Sequence, residues 1–515
     1  MAPEPGSRAS RIALGALVVA APAIVTCVLL EAMFSRSLFD YLPQVSDEIA
    51  YNRQIAAFVE AGFNSGYFNA YERPAPFAFT HFSVHGPAFP VIYGLAGRIV
   101  GWQLYSGPIF NLVVLALATA IFLAMSRLSR AQVLVCGAVI LTSWWVLLMA
   151  SITMQESLNQ AVMIVMAGCA ARLMHPGTQH HGRLLGGALV ILAIAAVLRP
   201  TNWIVAVPLV VVGMPWQRPL RVAVATGVAA LGIPFFWLLW RYLSAPIPDL
   251  AIEWDPATSS GAVGMIAAYF GDHLRRNAEI FEVSRFLQAP FFQHVMFESV
   301  LVALVSVPLT AFAALRRSRL RASGATAEQA PAFKADLFNL LTLVLALVAF
   351  LGFYFDAQAS ISRVMSPFLL LALLIYAATR VRRWMVGAAI AANLLIAPSF
   401  LATYREWRVE LFRSRHGAYE QFRNQLAPVL KFDPRRTPWC NTLLTTTYQH
   451  ELAAVPAGIG LSVARPVDSL TPPIKSGYVL LTPDSVEGFA SKAQLEHLAT
   501  TSLGELYVNR DAGCK

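Results

Sequence analysis

The stretch Arg11–Phe34, RIALGALVVAAPAIVTCVLLEAMF, carries one acid, Glu31, in an otherwise apolar run. A helix crossing a bilayer needs about 20 consecutive apolar residues, so this segment reads as a membrane span, near 12–34. Ten further apolar blocks follow, near 106–126, 131–150, 154–174, 185–199, 202–215, 220–243, 294–315, 335–355, 365–379 and 384–402. Of the 515 residues, 57% are hydrophobic and only 13% charged, and the mean hydropathy is +0.57. Soluble domains carry about 25% charged residues. The chain therefore reads as a polytopic α-helical membrane protein with about 11 transmembrane helices. Blocks 185–199, 202–215 and 365–379 fall short of a full crossing and are expected as half-spans or as walls of a water-filled cavity.

The net charge of +10 does not point to nucleic acid, because of where the arginines fall. Arg8 and Arg11 precede the first span; Arg127 and Arg130, Arg172 and Arg183, and Arg218 and Arg221 follow the second, fourth and sixth. Arg316, Arg317, Arg319 and Arg321 follow the eighth, and Arg380, Arg382 and Arg383 the tenth. Every second loop is basic, as the positive-inside rule requires. The N-terminus is expected in the cytoplasm, the first span as an uncleaved anchor in the inner (cytoplasmic) membrane, and the C-terminus outside.

Three sizeable polar pieces then face the exterior: residues 35–105, 244–293 and the tail 404–515. In the tail, short strand-like runs such as NTLLTTTY, GYVLLT and GELYVN alternate with helical ones, so a small α/β domain is expected after a transmembrane domain covering 1–403. Cys27, Cys136 and Cys169 fall inside spans, whereas Cys440 and Cys514 share the exterior tail. In an oxidising compartment that pair reads as a disulfide, with two free thiols as the alternative. No P-loop, GxGxxG, HExxH or CxxC occurs, which leaves nucleotide-driven and metal-peptidase chemistry without support.

The first exterior piece opens with VSDEIAYNRQIAAFVEAG, Val45–Gly62: Ser46 as N-cap, Asp47 and Glu48 in the first turn, Ile55, Phe58 and Val59 as an apolar stripe. Acids in a first turn complement the helix macrodipole, which is the plain reading of such a pair. Three charges on the same predicted face change its weight: Glu156 opening the fourth span, Arg199 at the turn between the fifth and sixth, and Arg363 at the start of the tenth. An ionisable group in a span costs about 2.5–3.5 kcal/mol, so it has a partner or a task. Each arginine alone could snorkel to the interface; together with two carboxylates they supply a base and a phosphate cradle.

These segments resemble the GT-C superfamily of polyprenyl-phosphate-sugar-dependent glycosyltransferases, in the branch of protein O-mannosyltransferases, aminoarabinose lipid A transferases and RgtA/B/C/D-like proteins. The resemblance is carried by the acid pair, by HFSVHGPAFPVIYGLAGRIVG with His85-Gly86-Pro87-Ala88-Phe89-Pro90, and by QESLNQAVMIVMAG, LAIAAVLRPTNWIVAVPLVV and SRVMSPFLLLALL. Gly86 replaces the first proline of the family's pair, and Val364 the tyrosine of its RYllP segment. The resemblance implies a GT-C-like fold and an inverting sugar transfer from a polyprenyl-phosphate-linked donor to an envelope acceptor: lipid A or another lipid, a polysaccharide or a protein. It implies Asp47 as the base, Glu48 and Glu156 as supports, Arg199 and Arg363 on the donor phosphate, and Tyr51, Arg73, His81 and His85 as further substrate contacts. No cofactor is implied.

His81 and His85 stand four apart, a spacing zinc can use on a helix, but Gly86-Pro87 argues for a turn and no third ligand has diagnostic spacing. Trp102, Trp216 and Trp254 read as belt anchors more readily than as sugar platforms. The competing function is a transporter or flippase for a lipid-linked or anionic substrate, which also uses intramembrane charges and short helices. Its mark, hydropathy repeated in two pseudo-symmetric halves, is not seen.

Overall fold

The computed structural model describes residues 5–43, 46–64, 68–70, 72–73, 85–175, 180–214, 220–245, 261–277, 281–288, 290–322, 330–353, 359–413, 415–447, 449–464, 474–486 and 494–514. In chain order the helices are α1 (Pro5–Phe34), α2 (Ser46–Ala61), α3 (Ala88–Val100), α4 (Ser106–Ser126), α5 (Arg130–Thr142), α6 (Trp144–Ala150), α7 (Glu156–Met174), α8 (His181–Leu198) and α9 (Ala206–Gly213). They continue with α10 (Leu220–Leu243), α11 (Gly261–Asn277), α12 (Val283–Gln288), α13 (Pro290–Ala322), α14 (Ala330–Phe353), α15 (Ala359–Thr379), α16 (Arg383–Leu395), α17 (Ala397–Arg413), α18 (Arg415–Leu426) and α19 (Pro483–Val486). The strands are β1 (Phe68–Ala70), β2 (Thr442–Thr445), β3 (Gly460–Val463), β4 (Tyr478–Leu481), β5 (Leu495–Thr501) and β6 (Gly504–Asn509).

Among the described residues, eight helices are long and apolar enough to cross a membrane, and two bent pairs raise the number to ten. The pair α5–α6 bends by 63°. There Thr142 and Ser143 turn their hydroxyls back onto the Ala138 and Val139 carbonyls, at 2.8 and 2.7 Å, a competition with the helical ladder that bends helices. The pair α16–α17 bends by 48° just before Pro398, which has no N–H to continue the ladder.

The remaining apolar block, expected at 202–215, is a 3₁₀ segment, Pro200–Val205, running into α9. Alone it is too short for a crossing α-helix. The steeper 3₁₀ rise stretches it to about 24 Å, close to the roughly 27 Å of α8. Its end, Gly213, packs against Leu173 and Leu185, at the far end of α7 from Glu156. The chain is thereby returned to the face opposite Arg199.

The two most enclosed spans, α7 and α15, are 78% and 83% buried over their apolar windows. They pack on each other, with α4 and α8 against α7 and with α13 and α14 against α15. Both begin at the same face, so their first residues, Glu156 and Arg363 among them, arrive together. Cys136 and Cys169 are buried within spans and Cys27 is exposed on α1.

The tail forms a sheet of order β1-β3-β2-β4-β6-β5. Strands β1, β3, β2 and β4 run parallel, and β6 and β5 complete it antiparallel. Its first strand comes from the first large loop: Phe68 pairs with Leu461 and Ala70 with Val463. Cys440, before β2, is bonded to Cys514, after β6, across 74 residues. Helix α2 lies between the tail and the membrane helices. Ile49 joins the tail core with Phe422, Leu426 and Leu461, while Tyr51 and Ile55 join the membrane core with Phe89 and Tyr93. Two opposed faces are covered, so the polar residues Glu48, Asn52, Arg53 and Gln54 of α2 are buried.

Candidate active site

Glu156 is the first residue of α7 and is fully buried. Its Oε1 lies 3.0 Å from Arg199 Nη2 and 3.1 Å from Arg363 Nε. Arg199 reaches it because Pro200 ends α8. The residue before a proline is pushed out of helical conformation, and Arg199 is extended at φ −150°, ψ 115°. One turn further along each element, Asn202 Nδ2 donates to Asn159 Oδ1 at 2.8 Å and to the Ala195 carbonyl at 2.9 Å. Two rungs, one charged and one neutral, thus tie the start of α7 to the end of α8.

Arg363 is turned toward the site by its own sequence. Pro367 has no N–H to offer the Arg363 carbonyl, which accepts instead from Ser366 Oγ at 2.9 Å. From there Nη1 and Nη2 both donate to Asp47 Oδ2 at 3.2 Å. The other oxygen, Oδ1, lies 3.5 Å from His85 Nε2. Burial by itself would raise the Asp47 pKa. The hydrogen bond and charge of His85, and then Arg363, outweigh it and hold the carboxyl well below the usual range. His85 is presented by a turn in which Gly86 is left-handed at φ +76°, a conformation an L-residue resists. Gly86 is therefore the residue the backbone needs at this turn.

Glu48 is fully buried. It accepts from Tyr41 at 2.5 Å, and the Tyr41 hydroxyl is bonded to both the side chain and the backbone N–H of Thr153, each at 3.0 Å. Burial, and next the Glu48 charge, push the Tyr41 phenol well above its ordinary pKa, so it stays a donor. Through it Glu48 fixes the non-helical turn between α6 and α7. Asn111 Nδ2 satisfies the same turn, donating to the Met149 and Ile152 carbonyls. Irregular backbone at this depth survives only when its polar groups are paired. Gly107 makes the approach possible, because a Cβ there would overlap Thr153.

Tyr51 is buried over the same cluster, its ring 5.0 Å from His85 and 4.9 Å from Phe89. Burial, then the charges of Glu156 and Asp47, raise its phenol pKa. The structure thus joins Asp47, His85, Glu156, Arg199 and Arg363 directly, with Tyr51 stacked on the cluster and Glu48 bracing it. Arg73 does not belong there. It follows β1, is carried with that strand to the tail sheet, and is exposed. His81, Trp216, Trp254 and the Ser46 side chain lie outside the described residues, so neither the paired-histidine metal reading nor the N-cap is described. Among the described residues, no group of three His, Cys, Asp or Glu side chains could hold a metal ion.

The same neighbourhood contains residues that sequence reasoning missed. Asn111, Asn159 and Asn202 are uncharged polar side chains inside apolar blocks, a signal in itself, since such groups need a partner there. Arg53 and Glu72 gave no signal. Arg53 donates to the Val455 carbonyl, to Pro456 at 2.7 Å and to Ile459 at 2.6 Å, and burial lowers its pKa to about 10. Glu72 accepts from the Lys475 and Ser476 N–H groups at 2.9 and 2.8 Å. Both clamp the tail over α2.

The cluster holds two carboxylates and two guanidinium groups, an assembly able to take a proton and to meet an anionic oxygen. No family model matches the chain, and no curated protein matches it. Among solved structures it is similar to the crystal structure of ArnT from Cupriavidus metallidurans bound to undecaprenyl phosphate, at 12% identity and a TM-score of 0.48. It is also similar to that ArnT in the apo state, at 12% identity and a TM-score of 0.45, each likeness covering 96% of this chain and 97% of the other.

Proposed function

We propose that this protein is an inverting membrane glycosyltransferase. It moves a sugar from a polyprenyl-phosphate-linked donor to a hydroxyl of an envelope acceptor, at the exterior face of the inner membrane. The observation that carries this reading is the convergence of Asp47, Glu156, Arg199 and Arg363 from four distant segments into one ion-paired cluster. These are the residues on which the sequence resembles GT-C enzymes.

In the reaction the acceptor oxygen attacks the anomeric carbon and the bond from that carbon to the phosphate oxygen breaks. The hydroxyl proton passes to Asp47, and the lipid phosphate leaves with the bonding electrons. Arg363 and Arg199 face the charge that develops on it, as preorganised cations do. Glu156 keeps both guanidinium groups in place while empty of substrate. Asp47 held low by His85 and Arg363 is a weak base. A donor phosphate that draws Arg363 toward itself relieves the Arg363 share of that hold, so donor binding raises the basicity of Asp47 as the base is needed. Tyr51 and His85 line the same place as sugar or acceptor contacts. The reading needs no cofactor.

A transporter is the weaker reading. The tail is clamped by Arg53 and Glu72 over the helix that carries Asp47, an asymmetric lid suited to presenting an acceptor. The test is incubation of the purified protein with a polyprenyl-phosphate sugar and envelope extract. Release of free polyprenyl phosphate with sugar appearing on an acceptor is expected; movement of intact donor across a vesicle without release would favour transport.

A further inference from the structure

At the end of the membrane domain away from Asp47, α4 closes, α7 ends and α8 begins. Gly107 at the start of α4 touches Thr153 just before α7, and Phe122 late in α4 touches Gly168 late in α7, so the two helices run side by side in the same direction and Arg127 comes down beside the last turn of α7. Arg172 stands in that last turn and Arg183 in the first turn of α8. A cavity of about 320 Å³ opens there, with Arg127, Arg172, Arg183, His180, Met125 and Leu184 in its lining. Three guanidinium groups face one space, and no carboxylate among the described residues is in ion-pair distance of Arg127 or Arg183. Two of the lining residues, Arg127 and His180, hold left-handed backbone at φ 50° and 59°, a conformation costly for residues with a Cβ.

We propose that this cavity binds the phosphate of an anionic lipid headgroup, with Arg127, Arg172 and Arg183 as its ligands. Planar guanidinium groups suit phosphate oxygens, and several of them share one headgroup more readily than one another's company. A lipid rather than a soluble anion follows from what adjoins the cavity. On α4, Val113, Leu117 and Ile121 are exposed in one column, and on α8 so are Val190, Ile191 and Ile194. These two apolar faces flank α7 and give acyl chains a wall along the way to the arginines. Positive flanks alone would leave the arginines spread at the interface; here three helix ends bring them into one pocket.

The experiment is native mass spectrometry of the full chain released from nanodiscs, with phosphatidylglycerol titrated into phosphatidylcholine. Wild-type protein is expected to retain phosphatidylglycerol in preference to phosphatidylcholine. Arg127→Gln with Arg183→Gln, both exposed and outside the candidate active site, should weaken that retention about thirtyfold. Arg380→Gln with Arg383→Gln removes equal charge from the same face without touching the cavity, and should retain lipid as wild type does. Equal loss in the two double variants would reduce the effect to diffuse surface charge and overturn the site. Equal retention of both lipids would overturn headgroup recognition. Displacement of the lipid by millimolar inorganic phosphate would make it a soluble-anion site and overturn the lipid assignment.

Discussion

Arg363 and Asp47 are 316 residues apart in the chain, yet both terminal nitrogens of the guanidinium donate to the same carboxylate oxygen at 3.2 Å. The fork is single-sided. Asp47 Oδ1 is left to His85, and Arg363 Nε to Glu156. Asp47 is thus held as an ion by groups that a phosphate could draw away.

Replacing Asp47 by Asn keeps the shape and removes the base. Sugar transfer by the Asp47→Asn protein should fall below a tenth of the wild-type rate, while the protein stays folded with a melting temperature only a few degrees below wild type at neutral pH. Asp47→Glu moves the carboxylate by a methylene, and a misplacement of about 1 Å can cost on the order of 100-fold. Single-turnover transfer with purified donor measures both. Wild-type rates would return Asp47 to a helix-start residue.

The pH dependence of stability has a defined sign. Asp47 is ionised more readily in the folded chain than in the unfolded one, so its contribution is complete above the unfolded carboxylate pKa of about 3.9. It is lost as pH falls through the lower folded value. Melting curves in detergent should show Asp47→Asn and wild type running parallel from pH 7 to about 5. Below about pH 4 they should converge, because the wild type loses a stabilisation the variant never had.

Arg363→Lys keeps a charge and loses the fork, so donor affinity should drop about tenfold while acceptor affinity stays. Calorimetry with a polyprenyl phosphate measures it. Arg199→Met should instead act on stability. It strips one partner from a fully buried carboxylate, a change that costs about 3–5 kcal/mol. If Arg199→Met melts like wild type, the Glu156 pair is not structural.

Arg53→Ala leaves the carbonyls of Val455, Pro456 and Ile459 without their donor. A buried acceptor left unsatisfied costs about 1–3 kcal/mol. The tail should then open from α2 more often, read as faster proteolysis between Arg415 and Gly477 with the membrane helices intact. Unchanged cleavage would show that Glu72 and the β1–β3 pairing hold the tail unaided.

The helical membrane class was legible in the sequence because burial in lipid demands long apolar runs, and runs are a one-dimensional signal. The grouping of Glu156, Arg199 and Arg363 with Asp47 at one face was legible too, since parity of crossings places them there whatever the packing. The short block after Arg199 was readable only as too short. Its 3₁₀ geometry, which makes up the missing length, follows from local packing. Which way each charge turns was decided in three dimensions. Glu48 and Asp47 are neighbours of like chemistry, but a helix rotates successive side chains by about 100°, so one meets Tyr41 and the other Arg363. Arg53 reads as the polar face of an amphipathic helix. It is buried because the tail covers that face, through a strand that the chain contributed nearly four hundred residues earlier. Contacts of that span leave no local trace in the amino-acid order, and only the folded chain brings them together.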